Sequence, residues 1–389
     1  MKYWRGYITA AVLFVFTYVL MAFSSAHSAL VDMIYPYVSR LIQTSLSGWV
    51  GGADFCLWQL LVVLLGVLLL ASVILMIIFR WNPLQWFGWV LAAAGFLCCM
   101  HTGVYGLNQY AGDLKDDIRL KDAELSVSLM VESATYFRDI ANELATQVPR
   151  NEDGTLNYPS FDELAAMAGN GFDTLVYEKK YSVFAGSTDP VKKLGWADMY
   201  TSMGISGIHM PLTGEAAVNP QTPVVALPFV MCHEMSHRMC IAKERDANLG
   251  AFLACDANEN VIYRYSGYFM AFRFCYNALV SHGTSAASAA AESIYAGLND
   301  QLRKDLNDYR QFYAANQDAS ASQLASSVND TYIKVSGDAS GTQSYNDVSD
   351  LLFSWYYQEI YLPAHKDEEQ VFDPLDKEQV ENAEPIGGG

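Results

Sequence analysis

Charged residues vanish from the chain in three places before residue 105. None occurs between Arg5 and Asp32, and the apolar stretch YITAAVLFVFTYVLMAFSSA runs from Tyr7 to Ala26. A second charge-free run, FCLWQLLVVLLGVLLLASVILMIIF, lies between Asp54 and Arg80, and a third, LQWFGWVLAAAGFLCCMHTGVYG, follows Pro83. A helix rises about 1.5 Å per residue, so roughly 20 apolar residues cross the hydrocarbon core of a bilayer. The pattern therefore predicts membrane helices over about 7–26, 55–79 and 84–104, within a transmembrane region covering 1–107. Trp81, Trp86 and Trp89 stand where an interfacial aromatic belt is expected.

Beyond this region the period changes. From Leu114 apolar residues recur every three or four positions as far as Pro149, which predicts one amphipathic helix leaving the membrane. RNEDGTLNYPS reads as a turn-rich loop, FDELAAMAGNGFDTLVYEKKY as a helix, and GSTDP as the opening of an irregular stretch. Extended character is confined to GISGIHMP and TGEAAVN. Helical periodicity returns over 228–282, over 287–315 and in DVSDLLFSWYYQEI. The expected fold is a mainly α membrane protein: three N-terminal transmembrane helices, then a predominantly helical domain over 108–365 with a small β element. Residues 366–389, KDEEQVFDPLDKEQVENAEPIGGG, read as an acidic disordered tail.

Charge divides along the same line. Residues 1–104 hold Lys2, Arg5, Arg40 and Arg80 against Asp32 and Asp54, while the remaining 285 carry 20 basic and 40 acidic side chains. A polyanion of that kind repels phosphate backbones, so nucleic acid is excluded as a partner. Lys2 and Arg5 precede the first span and Arg80 lies between the second and third, whereas the loop over 27–53 has only Arg40. Positive-inside logic then puts the N-terminus in the cytoplasm and everything after about Leu107 on the outer face of the cell membrane. Read instead as a cleavable signal peptide, the first segment leaves the later topology unchanged.

The candidate chemistry lies in PFVMCHEMSHRMCIAKERDANLGAFLAC, from Pro228 to Cys255. His233 and His237 are four apart, so a helix puts both imidazoles on one face, near enough to share a metal ion. Glu234 points about 100° round that helix, where a carboxylate serves as a general base for water polarised by zinc. A catalytic zinc takes three protein ligands and keeps one open position. Glu244 is the leading third ligand and Asp246 its competitor. In an unbroken helix Glu244 would lie about 10 Å further along the axis, so the chain must turn within RMCIAK. A second helix starting near Glu244 would set Asn248 one turn on, as a hydrogen-bond partner beneath it. The seven cysteines lack CxxC pairing and read as small buried residues, with a Cys240 to Cys255 bridge as the alternative for that pair.

HEMSH followed by ERDAN resembles the gluzincin metallopeptidases, in which HExxH is completed by a glutamate from a downstream helix carrying E-x-x-A-N or E-x-x-A-D. More closely, the chain resembles a family of bacterial membrane proteins assigned to that zincin clan and catalogued as a domain of unknown function. The matching parts are the membrane segments, MPLTGEAAVN, LPFVMCHEMSH, IAKERDANLGAFLAC, YRYSGY and DTYIKVSGDASGTQSYNDVSDLL. The resemblance implies a zincin-like metallopeptidase domain with zinc ligands at His233, His237 and Glu244 and the base at Glu234. It also implies that GISGIHMPLTGEAAVN holds an edge strand along which a peptide or protein substrate binds. The family usually has glycine in the turn after the second histidine, where this chain has Cys240.

Other side chains near the motif read as structural. His209 could hydrogen-bond an oxyanion, yet a lone histidine near a strand is more often held by the fold; His282 reads the same way. Tyr263, Tyr265 and Tyr268 follow the site by about one helix and could polarise a scissile carbonyl, although aromatic side chains at such spacing are usually core, and they stay unassigned. Two functions remain: a membrane-anchored zinc metallopeptidase, and a catalytically silent zincin-like domain acting as a binding or sensor module. Retention of Glu234 favours the first. A transporter is disfavoured, since the apolar segments hold no ionisable residue besides His101.

Overall fold

Four long helices come first: α1 (Arg5–Ala26), α2 (Ser28–Val50), α3 (Leu57–Ile78) and α4 (Pro83–Val104). The computed structural model describes residues 4–336 and 348–365. Helices α1, α3 and α4 are each 22 residues long and apolar enough to cross a membrane. Asn82 ends the link between α3 and α4 by accepting from the Gln85 N–H, and Pro83 opens the helix. The two run as a hairpin joined by a Trp86 Nε1 to Ser72 Oγ bond of 3.1 Å. Helix α1 packs on α4 through small residues: a Cβ on Gly6 would meet the Gly88 carbonyl carbon at 2.5 Å, so this crossing requires glycine.

The segment over 27–53, expected as a loop, is almost entirely helical. Helix α2 is amphipathic, and the side chains of Ser39, Arg40, Gln43 and Ser47 are buried on its polar face. Gln43 Nε2 donates to the Pro211 carbonyl at 3.0 Å, and Ser47 Oγ to Asp189 at 2.9 Å. Its polar positions carry no membrane-span signal and its helical period was hidden by their number.

The polar domain continues with α5 (Leu114–Asp117), α6 (Val127–Ala145), α7 (Phe161–Met167), α8 (Gly169–Tyr177) and α9 (Ala197–Ser202). The single helix expected from Leu114 to Pro149 is thus two, with residues 118–126 outside helix. Asp246 captures the Leu114 N–H at 3.0 Å, and Ser126 caps the start of α6 by accepting from the Leu129 N–H. The helix expected across 161–181 is also divided, near Ala168. Strands β1 (Lys192–Lys193), β2 (Gly207–Met210) and β3 (Glu215–Val218) form a sheet in the order β1-β3-β2. β1 is parallel to β3, whereas β2 is antiparallel, with Gly207 opposite Val218 and Met210 opposite Glu215. β2 is therefore an edge strand.

Behind the sheet stand α10 (Leu227–Arg238), α11 (Glu244–Asp256) and α12 (Val261–Ser281), followed by α13 (Ser285–Ala296), α14 (Asp300–Asn316), α15 (Ala319–Ser336) and α16 (Val348–Tyr356). One apolar core runs through α6, α10, α11, α12 and α16, centred on Phe137, Phe252, Tyr268 and Trp355. All seven cysteines are free, so Cys240 and Cys255 form no bridge. The acidic tail expected over 366–389 lies outside the described residues.

Sheet and membrane helices are joined by a buried ion pair. Lys192 Nζ lies 2.9 Å from Glu215 Oε1, with the two side chains 9% and 0% exposed. The same carboxylate accepts the Leu57 and Trp58 N–H groups at 2.7 and 2.9 Å, capping α3. Lys192 also donates to the carbonyls of Val50 and Phe55. Removing one member strands the other charge in the interior, so Glu215→Gln should cost about 3 kcal/mol. Thermal unfolding in detergent should show a lower apparent Tm for Glu215→Gln, and an unchanged Tm would refute this role.

Candidate metal centre

Helix α10 starts with Pro228 near its N-terminus, where a missing N–H costs nothing, and Ser266 Oγ of α12 accepts the Phe229 N–H at 3.0 Å. The twelve-residue helix stops at Arg238 in a Schellman turn. The Ile241 N–H reaches the Ser236 carbonyl at 3.1 Å and the Cys240 N–H reaches that of His237 at 2.9 Å. This motif needs a left-handed residue at its C′ position, and Cys240 adopts φ +72° there. The chain therefore turns where the sequence required it to, with cysteine in a conformation that favours glycine.

Three groups from outside the turn hold it. Arg40 of α2 donates from Nε to the Met239 carbonyl at 3.1 Å and from Nη1 to that of Ser182 at 3.1 Å. Cys240 Sγ contacts Ser39 Oγ at 3.2 Å, and Gln109 Nε2 donates to the Ala242 carbonyl at 3.1 Å. In the sequence Arg40 serves as a topology marker. Its isolation as the one cation between two apolar segments was a signal, but not of which carbonyls it serves.

The turn delivers Glu244 to the histidines. His233 Nε2 and His237 Nε2 are 3.1 Å apart, and Glu244 Oε2 lies 3.3 Å from the first and 3.6 Å from the second. A point equidistant from these three atoms lies about 1.9 Å from each, while zinc bonds to nitrogen and oxygen are about 2.0–2.2 Å long. The donor set would thus fit one small divalent ion, held by His233, His237 and Glu244. His237 is oriented as a ligand would be: its Nδ1 donates to the Ile241 carbonyl at 2.9 Å, which turns Nε2 toward His233 and Glu244. Glu244 Oε2 is buried and makes no hydrogen bond apart from its approach to the two imidazoles. Among the described residues this is the group of histidine, cysteine, aspartate and glutamate side chains able to share an ion.

The competing aspartate is elsewhere. Asp246 takes the Leu114 N–H, and burial raises its pKa to about 6. Asn248 is buried one turn after Glu244, but its Nδ2 has no partner, so the expected hydrogen bond to Glu244 is not made. Glu244 leans off the helix end toward the imidazoles instead of back along the helix.

Electrostatically the centre is built for a cation. Burial opposes the charge on His237, yet the Glu244 carboxylate overrides it and raises the pKa to about 9. Burial also opposes charge on Glu244, but the two imidazoles hold it well below the usual carboxylate range. Burial raises the pKa of Glu234 against the pull of both histidines. Its carboxylate lies against β2, where the His209 N–H serves it, and a Cβ on Gly207 would come within 2.3 Å of Oε1. Gly207 is therefore part of the site; the sequence offered no sign beyond a glycine in an extended run.

His209 does not supply an oxyanion donor. Its Nδ1 donates to the Glu215 carbonyl at 3.2 Å, and burial pushes its pKa far down, so the ring is neutral with Nε2 bare. Tyr263, Tyr265 and Tyr268 are core residues whose hydroxyls bond to the Leu164 carbonyl, Asp305 and Asp256. His282 bonds to Thr284 in an exposed position.

A family model described as "Protein of unknown function (DUF3810)" matches residues 31–353. No curated protein and no solved structure matches the chain.

The strained turn makes a ranking testable. At φ +72° a β-branched side chain clashes with its own backbone. Cys240→Val should be at least about 1 kcal/mol less stable than Cys240→Ala, while Cys240→Gly stays within about 1 kcal/mol of the native protein because relief of strain offsets lost packing. Apparent Tm values in detergent would check the order, and a valine variant as stable as the alanine one would contradict the role given to this turn.

Proposed function

The chain belongs to the DUF3810 family, and from that premise and the convergence of His233, His237, Glu244 and Glu234 we propose that it is a membrane-anchored zinc-dependent metallopeptidase. The observation that carries this reading is the pairing of three ligand atoms with a buried carboxylate that is not one of them. A site built only to hold a metal has no use for Glu234. When bound, zinc supplies a Lewis acid that polarises a carbonyl and acidifies water.

The remaining work falls to the chain. Glu234, its pKa raised by burial, is a stronger base than an exposed glutamate. It takes a proton from the water that attacks the scissile carbonyl, and it gives that proton to the amine that leaves. The His209 N–H and the flat surface of Gly207 hold the carboxylate in place. The bond from the Asn219 N–H to the Ser206 carbonyl sets the phase of the β2 and β3 ladder. By alternation the peptide groups of Gly207 and His209 then point away from β3; the His209 N–H is taken by Glu234 and the carbonyls are left to an extended substrate that adds as a further strand.

We read the protein as a multi-pass protein of the cell membrane with this domain outside the cytoplasm. Helix α2 lies between the first two spans and is buried against the domain that follows α4, so both share one side, as three crossings require. Lys2, Arg5 and Arg80 then lie on the other, cytoplasmic side. A cysteine at exposed Glu152 should react with a membrane-impermeant maleimide in intact cells; protection there would reverse the topology.

The purified protein should hold about one zinc ion, lost in His233→Ala. Below pH 9 the metal-free His237 carries a proton that the ion must displace, so apparent affinity should fall as pH is lowered, with proton release on binding. Glu234→Gln should keep the zinc and lose turnover of a peptide library by at least about a hundredfold, whereas Glu244→Gln should lose zinc first. Identical cleavage by wild type and Glu234→Gln would replace the peptidase with the catalytically silent binding module.

A further inference from the structure

The edge strand of the site is held between the outer ends of two membrane helices. Ile208 and Met210, on one face of β2, pack in a cluster with Cys56 and Trp58 at the start of α3. On the other face the His209 ring stands 5.2 Å from that of Tyr105, the residue that ends α4. The turn between α10 and α11 is seated on the same end: Cys240 and Ala242 pack against Tyr105 and Val104. Ser39 Oγ donates to the Val104 carbonyl at 2.7 Å and lies 3.2 Å from Cys240 Sγ.

These contacts fix the height of the site above the membrane. Helices α3 and α4 form a hairpin, so Leu57 and Val104 are at the same end of it. Each has 22 residues, about 33 Å of helix, which matches a hydrocarbon core of about 30 Å with little to spare. Leu57 and Val104 therefore mark the hydrocarbon boundary, and β2 lies within about one helix diameter, on the order of 10 Å, of it. Apolar side chains surround this level. Phe55, Trp196 and Met199 are exposed, and Trp196 follows Gly195, whose N–H is bonded to Gln59 of α3. In water such residues are a liability; in the headgroup layer they are anchors.

We infer that the substrate is the juxtamembrane segment of a membrane-anchored polypeptide, cut within about ten residues of the hydrocarbon boundary; an extended chain at about 3.3 Å per residue needs roughly three residues to reach β2, and the rest allow for an oblique path. This rests on the peptidase reading of the site and adds where its substrate lies. A strand pairing with β2 runs through the headgroup layer beside the ends of α3 and α4. A segment emerging from the bilayer is already there, confined to the plane, whereas a folded soluble protein must bring a loop down to the lipid surface.

Two measurements on the full chain in liposomes test the inference. In the first, Cys98 and Cys99 are replaced by alanine, the other five cysteines being buried, and bimane is attached at Ser206→Cys, next to the edge strand, or at Phe55→Cys. Lipids with a nitroxide on the headgroup should quench both labels to a similar degree. Quenching of the Ser206 label by aqueous iodide alone overturns the inference. In the second, a model substrate with one membrane helix and a 40-residue unstructured outer tail is compared with the free tail. Confinement raises the local concentration, so the anchored form should be cut at least about tenfold faster, with the cuts clustered near the membrane. Equal rates, or cuts spread along the tail, overturn it. If zinc-loaded protein cuts neither form while the Ser206 label is quenched by lipid, the peptidase reading fails, and the substrate assignment with it, but the height of the site stands. Loss of cleavage in Glu234→Gln ties any observed cuts to this site.

Discussion

A helix that carries His233 and His237 cannot also bring Glu244 to them, because seven residues of helix separate positions by about 10 Å. Everything at the centre depends on reversing the chain in the five residues between α10 and α11. The reversal is a Schellman turn whose left-handed position is occupied by Cys240 at φ +72°. A conformation of that kind costs roughly 1–2 kcal/mol for a residue other than glycine and persists where its surroundings fix it. Here they do: Arg40, Ser39 and Gln109 bind the carbonyls and the thiol of the turn.

Those three residues flank membrane spans in the sequence, and this links the site to the bilayer. Arg40 and Ser39 belong to the helix between the first and second spans, and Gln109 follows the third. The polar domain is thus not tethered to its membrane region by a flexible linker. It is built on it, through Lys192 and Glu215 at the start of α3 and through Tyr105 at the end of α4. Burying a charge is costly unless it is paired and hydrogen-bonded. The joint meets that condition by spending each charged group on several backbone atoms: Glu215 serves two N–H groups and Lys192 serves two carbonyls.

The centre also separates two kinds of carboxylate by environment alone. Glu244 faces two imidazoles and is held ionised; Glu234, one helix face away, rests on Gly207 and the His209 N–H with its pKa raised by burial. Asp246, two residues from Glu244, is turned to the Leu114 N–H and anchors the chain arriving from α4. Three acidic residues within thirteen positions of each other thereby acquire three environments, facing two imidazoles, an edge strand and a backbone N–H, each set by what the fold places opposite it.

The sequence by itself determined the parts that repeat with a period. Charge-free runs fix the three membrane helices, because length and apolarity are all the bilayer core demands of them. The four-residue spacing of His233 and His237 fixes their shared face, because helix geometry is local. It also required a turn before Glu244, since no straight helix satisfies the site. The tertiary structure decided what distance along the chain conceals. It brought Glu244, and not Asp246, beside the two histidines and left Asn248 without its expected partner. It made 27–53 a helix that supports the site, and it set Gly207 against Glu234. Each of these depends on which atoms meet across the fold, and contacts between residues 40 and 239, or 207 and 234, leave no periodic trace in the chain that makes them.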